Sequence, residues 1–291
     1  MRKFEITYDG KPYIKAPRDK FDRQMRVTFT SSACYSEHTA LLDLAIYNVT
    51  GTPAFKHGAP IILSAGYTDE YSEIFSGTVT TVLKERNGAD VITRLLCRAG
   101  PVRGEDRPKV AKSFGRNTQC ADLINYLAGQ WGKRVVWQTA QFSDAQPLIR
   151  GYVLNGDVCD MLDNLAQQFA FKWVADDDAV YIDRPGYKVE GTPREVSMLT
   201  GLIGLPEATA DNTGVFADIT MKLSPRIRLS SVIELKSQYA SFNTGNMYFV
   251  EPQHKGNLNG RYKVVELRHE GDSWGDKWQT RIKGQNLEGL K

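Results

Sequence analysis

The chain has 291 residues, 41% of them hydrophobic and 24% charged, with 37 Lys and Arg against 34 Asp and Glu. At about 150 residues per domain this length predicts two or three domains, and the ordinary composition excludes a disordered or low-complexity chain. The net charge of only +3 excludes a polybasic nucleic-acid binder.

At the N-terminus Phe4, Ile6 and Tyr8 alternate with Glu5, Thr7 and Asp9, a strand pattern rather than the apolar run of a signal peptide. No apolar stretch approaches the roughly 18 residues of a membrane span, so no membrane insertion is expected and synthesis in a cytoplasm is. Met25, Val27 and Phe29 alternate with polar residues, as do Leu42, Leu44 and Ile46. Ile61, Leu63, Ala65 and Tyr67 share one parity; Phe75, Val79 and Leu83 share another; Val91, Thr93, Leu95 and Cys97 close the series. Thr50-Gly51-Thr52-Pro53, His57-Gly58-Ala59-Pro60 and Asn87-Gly88 punctuate these runs. Short strands between turn signals predict a barrel or sandwich. Arg86-Asn87-Gly88-Ala89 is the sharpest hairpin signal, because Asn-Gly tolerates positive φ.

The texture changes near Gly100-Pro101. Residues 102–117, polar and basic, read as a connector. One helix is predicted after Thr118, with Cys120, Leu123, Ile124, Leu127, Ala128 and Trp131 on one face. A second starts at Asp157, a good N-cap, and carries Val158, Met161, Leu162, Leu165, Ala166 and Phe169 at helical spacing. A hairpin follows: Phe171 to Val174 up, Asp176-Asp177-Asp178 as the turn, Val180 to Ile182 back. Residues 102–187 thus read as a small α+β domain inserted between β regions.

The last hundred residues return to alternation, at Val215–Met221, Ile233–Leu235, Tyr262–Leu267 and Trp278–Lys283, with breaks at Pro225 and Pro252. The two β regions overlay. Ile74-Phe75-Ser76-Gly77-Thr78-Val79 falls on Asn259-Gly260-Arg261-Tyr262-Lys263-Val264, and Asp90-Val91-Ile92-Thr93 on Lys277-Trp278-Gln279-Thr280. Ser231–Leu235 matches the strand that precedes them in the first region. Identity is low, but the order of strand, Gly-containing strand start, polar turn and Thr-bearing strand suggests a duplication.

Concentrated chemistry is missing. His38, His57, His254 and His269 form no H-E-x-x-H, and none has a second histidine or a cysteine at i+3 or i+4. Neither G-x-S-x-G nor a phosphate loop occurs. Cys34, Cys97, Cys120 and Cys159 make no C-x-x-C pair, so buried reduced thiols are predicted. Asp176-Asp177-Asp178 lacks the twelve-residue calcium pattern and reads as a solvated turn. Trp274 and Trp278 could form a sugar platform, and Glu70 with Glu73 a glycosidase pair. The plainer readings are a strand connection with one core-facing Trp, and solvated charge in a polar loop. No catalytic, cofactor-binding or metal residue is therefore assigned, and the chain reads as scaffold rather than enzyme.

Three stretches carry a family resemblance. Asp43–Thr50 with Gly58–Tyr67 and Ile74–Val79 resembles the first tube-like domain of baseplate hub proteins of contractile-tailed bacteriophages. Gly260–Asp272 with Trp278-Gln279-Thr280 resembles the closing strands of the second such domain, and Ser197–Pro206 the segment entering it.

The resemblance implies a mainly-β α+β protein: tube-like barrels at 1–101 and 188–291 flanking a middle domain at 102–187. It also implies a virion homotrimer, three chains presenting six barrels, that adapts a hexameric tail tube to a trimeric central spike. Other baseplate proteins and a tape measure protein would be further partners. The genome DNA would pass through the ring without specific binding, which a near-neutral chain suits. Alternatives are a tail-associated peptidoglycan-binding or peptidoglycan-degrading protein, or the hub of a contractile bacteriocin or secretion machine.

Overall fold

The computed structural model describes residues 1–16, 25–35, 38–49, 55–99, 107–139, 148–175, 179–184, 192–211, 214–242 and 258–287. It divides into two compact units, one from Met1–Cys34, Ala40–Arg98 and Gly191–Gly289, the other around Tyr35–Thr39 and Ala99–Glu190.

The first unit is all β among its described residues. Its N-terminal part holds β1 (Arg2–Tyr8), β2 (Lys11–Ala16), β3 (Val27–Cys34), β4 (Thr39–Tyr47), β5 (Pro60–Tyr67), β6 (Glu70–Asn87) and β7 (Asp90–Arg98). Strands β2, β1, β5, β6, β7 and β4 lie side by side, all antiparallel. The predicted alternation buries Phe4, Ile6, Leu42, Leu44, Ile46, Ile61, Leu63 and Leu95.

One parity expectation fails. Phe75 and Val79 are buried, but Leu83 is exposed. The register of β6 on β7 shifts between Val79 and Thr81. A bulge inserts one residue and turns every later side chain to the other face. The β6–β7 hairpin also forms one residue later than expected. Asn87 pairs with Asp90, and Gly88, at φ 60°, takes the first central position, which a type II′ turn reserves for glycine.

The second unit corrects one reading. Part of the expected connector is a strand, β8 (Lys109–Phe114), paired antiparallel with β10 (Tyr152–Asp157). Only Val110 of β8 is fully buried, so it shows little apolar alternation. The helices α1 (Cys120–Gln130) and α2 (Val158–Phe169) form as expected, and the Asp157 carboxylate accepts the Cys159 N–H at 2.8 Å as the N-cap of α2. Strands β11 (Lys172–Ala175) and β12 (Ala179–Asp183) make the predicted hairpin; its Asp turn lies outside the described residues. Strand β9 (Arg134–Trp137) lies parallel to β12. Leu123, Ile124, Leu127, Leu162, Leu165, Trp173 and Ile182 fill the core.

Beyond residue 191 the chain returns to the first unit with β13 (Arg194–Ser197), β14 (Glu207–Asp211), β15 (Gly214–Lys222), β16 (Val232–Lys236), β17 (Ser241–Phe242), β18 (Gly260–Asp272) and β19 (Trp278–Asn286). Strands β16, β18, β19, β15 and β14 lie side by side and antiparallel, with β13 parallel to β16 and β17 parallel to β14. The described pairings close neither part of the unit into a barrel. No helix among the described residues is long and apolar enough to cross a membrane.

Candidate assembly interface

The two parts of the first unit repeat each other in register, not merely in texture. Laying Val79 on Val264, as the sequence overlay requires, superposes the two bulges: the register of β18 on β19 shifts between Val264 and Glu266. The same overlay carries the Leu42–Cys97 pair onto Ala217–Gly284, Ile46–Thr93 onto Met221–Thr280, and Ile61–Gly77 onto Ile233–Tyr262. Loop hydrogen bonds repeat too. The Val79 N–H donates to the Ala59 carbonyl and the Val264 N–H to Ser231, both at 2.9 Å. The Gly58 N–H donates to Val79 and the Ser230 N–H to Val264, both at 2.8 Å. Gly58 and Ser230, equivalent in this overlay, both have left-handed φ, 77° and 62°. A left-handed φ is uncommon for a serine, so its place here follows the backbone geometry that the two repeats share.

The repeats are joined along β18. Its residues Gly260–Lys263 pair with β16, and Glu266–Asp272 continue along that same edge onto β3, as Cys34–Thr28. Trp278 plugs the seam. Its ring packs edge-on against Phe29 (5.4 Å between centroids), tilts against Phe4 (6.3 Å), and its indole N–H donates to the Gly66 carbonyl at 3.2 Å. Gly271 has to be glycine here, since a Cβ would lie 2.3 Å from the Phe29 ring and 2.8 Å from Trp278. At the end of the seam Arg26 forks onto Asp272, at 3.3 and 2.8 Å. Burial pushes the Asp272 carboxyl up, but the Arg26 bonds and the Trp274 and Gly275 N–H groups outweigh it and hold it below the usual range. His269, wholly buried on β18, accepts or donates at Nδ1 to the Thr280 hydroxyl (2.9 Å), and burial lowers its pKa to about 3. Glu270 is enclosed beside Arg268 (2.9 Å) and Arg281 (3.4 Å).

The equivalent edge of β6 has no strand beside it among the described residues. Thr78 pairs with both β5 and β7, so those neighbours lie on opposite edges; from Thr80 onward, no described strand follows β5. Lys84, Glu85 and Arg86, in the places of His269, Glu270 and Gly271, are exposed. Glu85 keeps the ion pair of its counterpart, with Arg94 at 3.8 Å, yet its side chain is 46% exposed against 8% for Glu270. Val91, in the place of Trp278, is 46% exposed against 3%.

A baseplate hub gp41 family profile matches residues 38–253, about three quarters of the chain and parts of both repeats. The chain belongs to the baseplate hub gp41 family. No curated protein matches it in sequence. This hub shares its fold with the 43 kDa tail protein of prophage MuSo2 from Shewanella oneidensis, at TM-score 0.63 and 8% identity over 100% of both chains. A tail protein from Neisseria meningitidis MC58 matches equally, at TM-score 0.63 and 10% identity over 99% of this chain and 97% of that one. The E. coli c3393 protein, a component of the type VI secretion system, gives 0.57 and 9% over 98% and 77%.

The candidate chemical residues of the hub are spent on structure. Glu70 and Glu73 lie in β6, not in a loop. Burial raises the Glu70 carboxyl, but the Arg194 guanidinium and Ser224 hydroxyl, each at 2.5 Å, more than reverse it, so it is held low instead of poised as an acid. Trp278 is buried and Trp274 exposed, as the strand-connection reading expects. His38 stacks on Trp173 at 4.4 Å, with Nδ1 2.9 Å from the Trp173 carbonyl and Nε2 3.4 Å from Asp163. His57 sits exposed in a turn, and His254 lies outside the described residues. Burial pushes the Cys97, Cys120 and Cys159 thiols up to about 12; Cys34 is partly exposed and in no disulfide. No group of three or more metal-ligating side chains occurs among the described residues. What sequence reasoning missed is the seam itself. Its sequence signals are Trp278 where the first repeat has Val91, and His269 and Gly271 where it has Lys84 and Arg86.

Proposed function

We propose that this hub is a structural virion protein acting as a homotrimer. Its two repeats are the tube-like domains, 1–101 and 188–291, with 102–187 as the middle domain between them. Three chains then present six similar β units to a tail tube built from hexameric rings, while true threefold symmetry meets a trimeric central spike. The observation that carries this reading is the repeat of register, bulge and loop hydrogen bonds between β5-β6-β7-β4 and β16-β18-β19-β15. A closed ring needs a surface on each copy that fits a different surface on the next, and a chain with two like units has one of each to spare. The genome DNA would pass through such a ring without specific binding, other baseplate proteins and a tape measure protein would contact it, and no enzyme activity is assigned to it.

The experiment is reconstitution with purified tube protein and purified spike protein. The reading expects one complex containing all three proteins; failure to bind either partner overturns it. The likeness in fold to a type VI secretion component favours a second reading, the equivalent hub of a secretion or bacteriocin machine. It makes the same prediction, with that machine's own tube and spike.

A further inference from the structure

We propose that Asn87 is a site of spontaneous covalent modification, where the turn of the β6–β7 hairpin converts a carboxamide to a carboxylate. The inference goes beyond the reading of the chain as a hub and does not depend on it. Asn-Gly occurs at three places, 87–88, 155–156 and 259–260. The reaction is a ring closure. The Gly88 amide nitrogen, having given its proton to hydroxide, attacks Asn87 Cγ; the Cγ–Nδ2 bond breaks, and ammonia leaves with a proton taken from water. Water then opens the succinimide at one carbonyl to give aspartate, or at the other to give isoaspartate. Glycine permits the attack because it has no Cβ to crowd the nitrogen.

The fold separates the three steps. Ring closure turns the peptide after the asparagine out of extended geometry, so a paired strand resists it. Asn155 and Gly156 lie within β10, opposite Ala111 and Val110, with Asp157 and Lys109 paired beyond them. Gly260 is paired with Leu235, and Asn259 Oδ1 accepts the Ser237 N–H at 2.6 Å, which ties that carboxamide down. Asn87 is the last residue of β6, its partner Asp90 is the first of β7, and Gly88 stands outside both strands. Asn87 and Gly88 are exposed, and no hydrogen bond from a described residue holds the Asn87 carboxamide. Where a Gly88 Cβ would stand, there is nothing within 4 Å. Only the outermost pair of the hairpin has to part, and strand ends open at far lower free energy than strand interiors. Arg86 assists, because its Nε donates to the Gly88 carbonyl at 3.2 Å and sets a positive charge beside the nitrogen that must give up its proton.

The product meets a poor neighbour. Residues 87 and 90 face each other directly, and Asp90 Oδ1 accepts the Asn48 Nδ2–H at 2.7 Å. A carboxylate at 87 sets like charges opposite one another, which destabilises a strand pair. The second repeat shows the contrast. The overlay that puts Glu85 on Glu270 puts Asn87 on Asp272, and Asp90 falls on Lys277. The Asp272 N–H donates to the Lys277 carbonyl at 2.8 Å, and the two side chains carry opposite charges. Isoaspartate disturbs the first hairpin further, since it lengthens the main chain by one carbon next to the two-residue turn Gly88-Ala89. The modification therefore loosens the turn end of β6–β7 and leaves that of β18–β19 as it is.

The test incubates the full-length chain at mildly alkaline pH, warm but below its unfolding transition, beside an aliquot held in urea. Both are digested at acid pH, and mass spectrometry reads each peptide for the mass gained when –NH2 is exchanged for –OH. The folded chain is expected to convert Asn87 on the order of tenfold or more faster than Asn155 or Asn259, because the hairpin end opens most easily. In urea the three sites are expected to react at like rates. Asn155 or Asn259 reacting as fast as Asn87 in the folded chain overturns the proposal, as does an Asn87 that reacts only in urea. The consequence is read on the Asn87→Asp variant by amide hydrogen exchange. Faster exchange at Asp90 and Val91 than in the parental chain, narrowing in high salt and absent at Asp272, is expected; unchanged exchange at Asp90 and Val91 overturns the loosening.

Discussion

Strands β6 and β18 are the same strand built twice, and they differ in what lies along one edge. β18 is paired on both sides for most of its length, whereas β6 has no described neighbour on one edge from Thr80 onward. The side chains follow that difference. Where β3 covers the edge stand His269, Glu270 and Gly271; where no described strand covers it stand Lys84, Glu85 and Arg86. Charges of both signs keep an open edge soluble and discourage indiscriminate pairing. The comparison teaches that the fold unit belongs to the repeat, while the identity of its neighbour is written only in the residues of the edge.

The largest expected effect breaks the closed seam. Trp278→Ala removes the plug between Phe4 and Phe29, and a buried aromatic of this kind costs about 3–5 kcal/mol. Val91→Ala at the equivalent open place is expected to stay within about 0.5 kcal/mol. Urea unfolding of the two variants checks both, and equal losses would erase the distinction between the edges.

Acid separates the edges next. His269 has a folded pKa near 3 against an ordinary value of 6.5. The unfolded chain therefore takes up a proton over that interval and the folded one does not. Stability contributed by the neutral ring is complete above pH 6.5 and falls toward pH 3, by about 1.4 kcal/mol per pH unit. Asp272, held low, adds a further loss as pH drops below its ordinary 3.8. Thermal unfolding followed against pH is expected to flatten between 6.5 and 4 in His269→Asn; an unaltered slope would assign the acid sensitivity elsewhere.

Smaller effects sharpen the picture. Arg26→Ala leaves Asp272 without its fork and is expected to cost about 1 kcal/mol, less in high salt, because the Arg26 side chain is partly exposed. Gly58→Ala tests the left-handed place shared with Ser230. A Cβ there meets nothing within 4 Å, so a loss of about 1 kcal/mol would come from the φ of 77° alone. Thermal denaturation resolves both.

The duplication was legible in sequence because core-facing residues hold the register: Ile61 and Leu63 match Ile233 and Leu235, and the buried Thr93 matches the buried Thr280. Helices α1 and α2 were legible from their apolar stripes. Strand β8 was not, since water covers most of it, and β9, β13 and β14 are too short to establish an alternation. The bulge after Val79 was hidden because one extra residue changes parity without any characteristic residue to mark it. The seam was hidden for another reason. Pairing of β3 with β18 joins residues some 240 apart in sequence, and no local pattern encodes a partner at that distance.

Electron microscopy of the purified hub bound to its tube protein, averaged along the ring axis without imposed symmetry, tests most directly whether a repeated strand unit lets three chains stand in for six. Six similar lobes alternating between two kinds, contributed by three chains, are expected; a ring of any other chain number, or three lobes in place of six, would contradict the account.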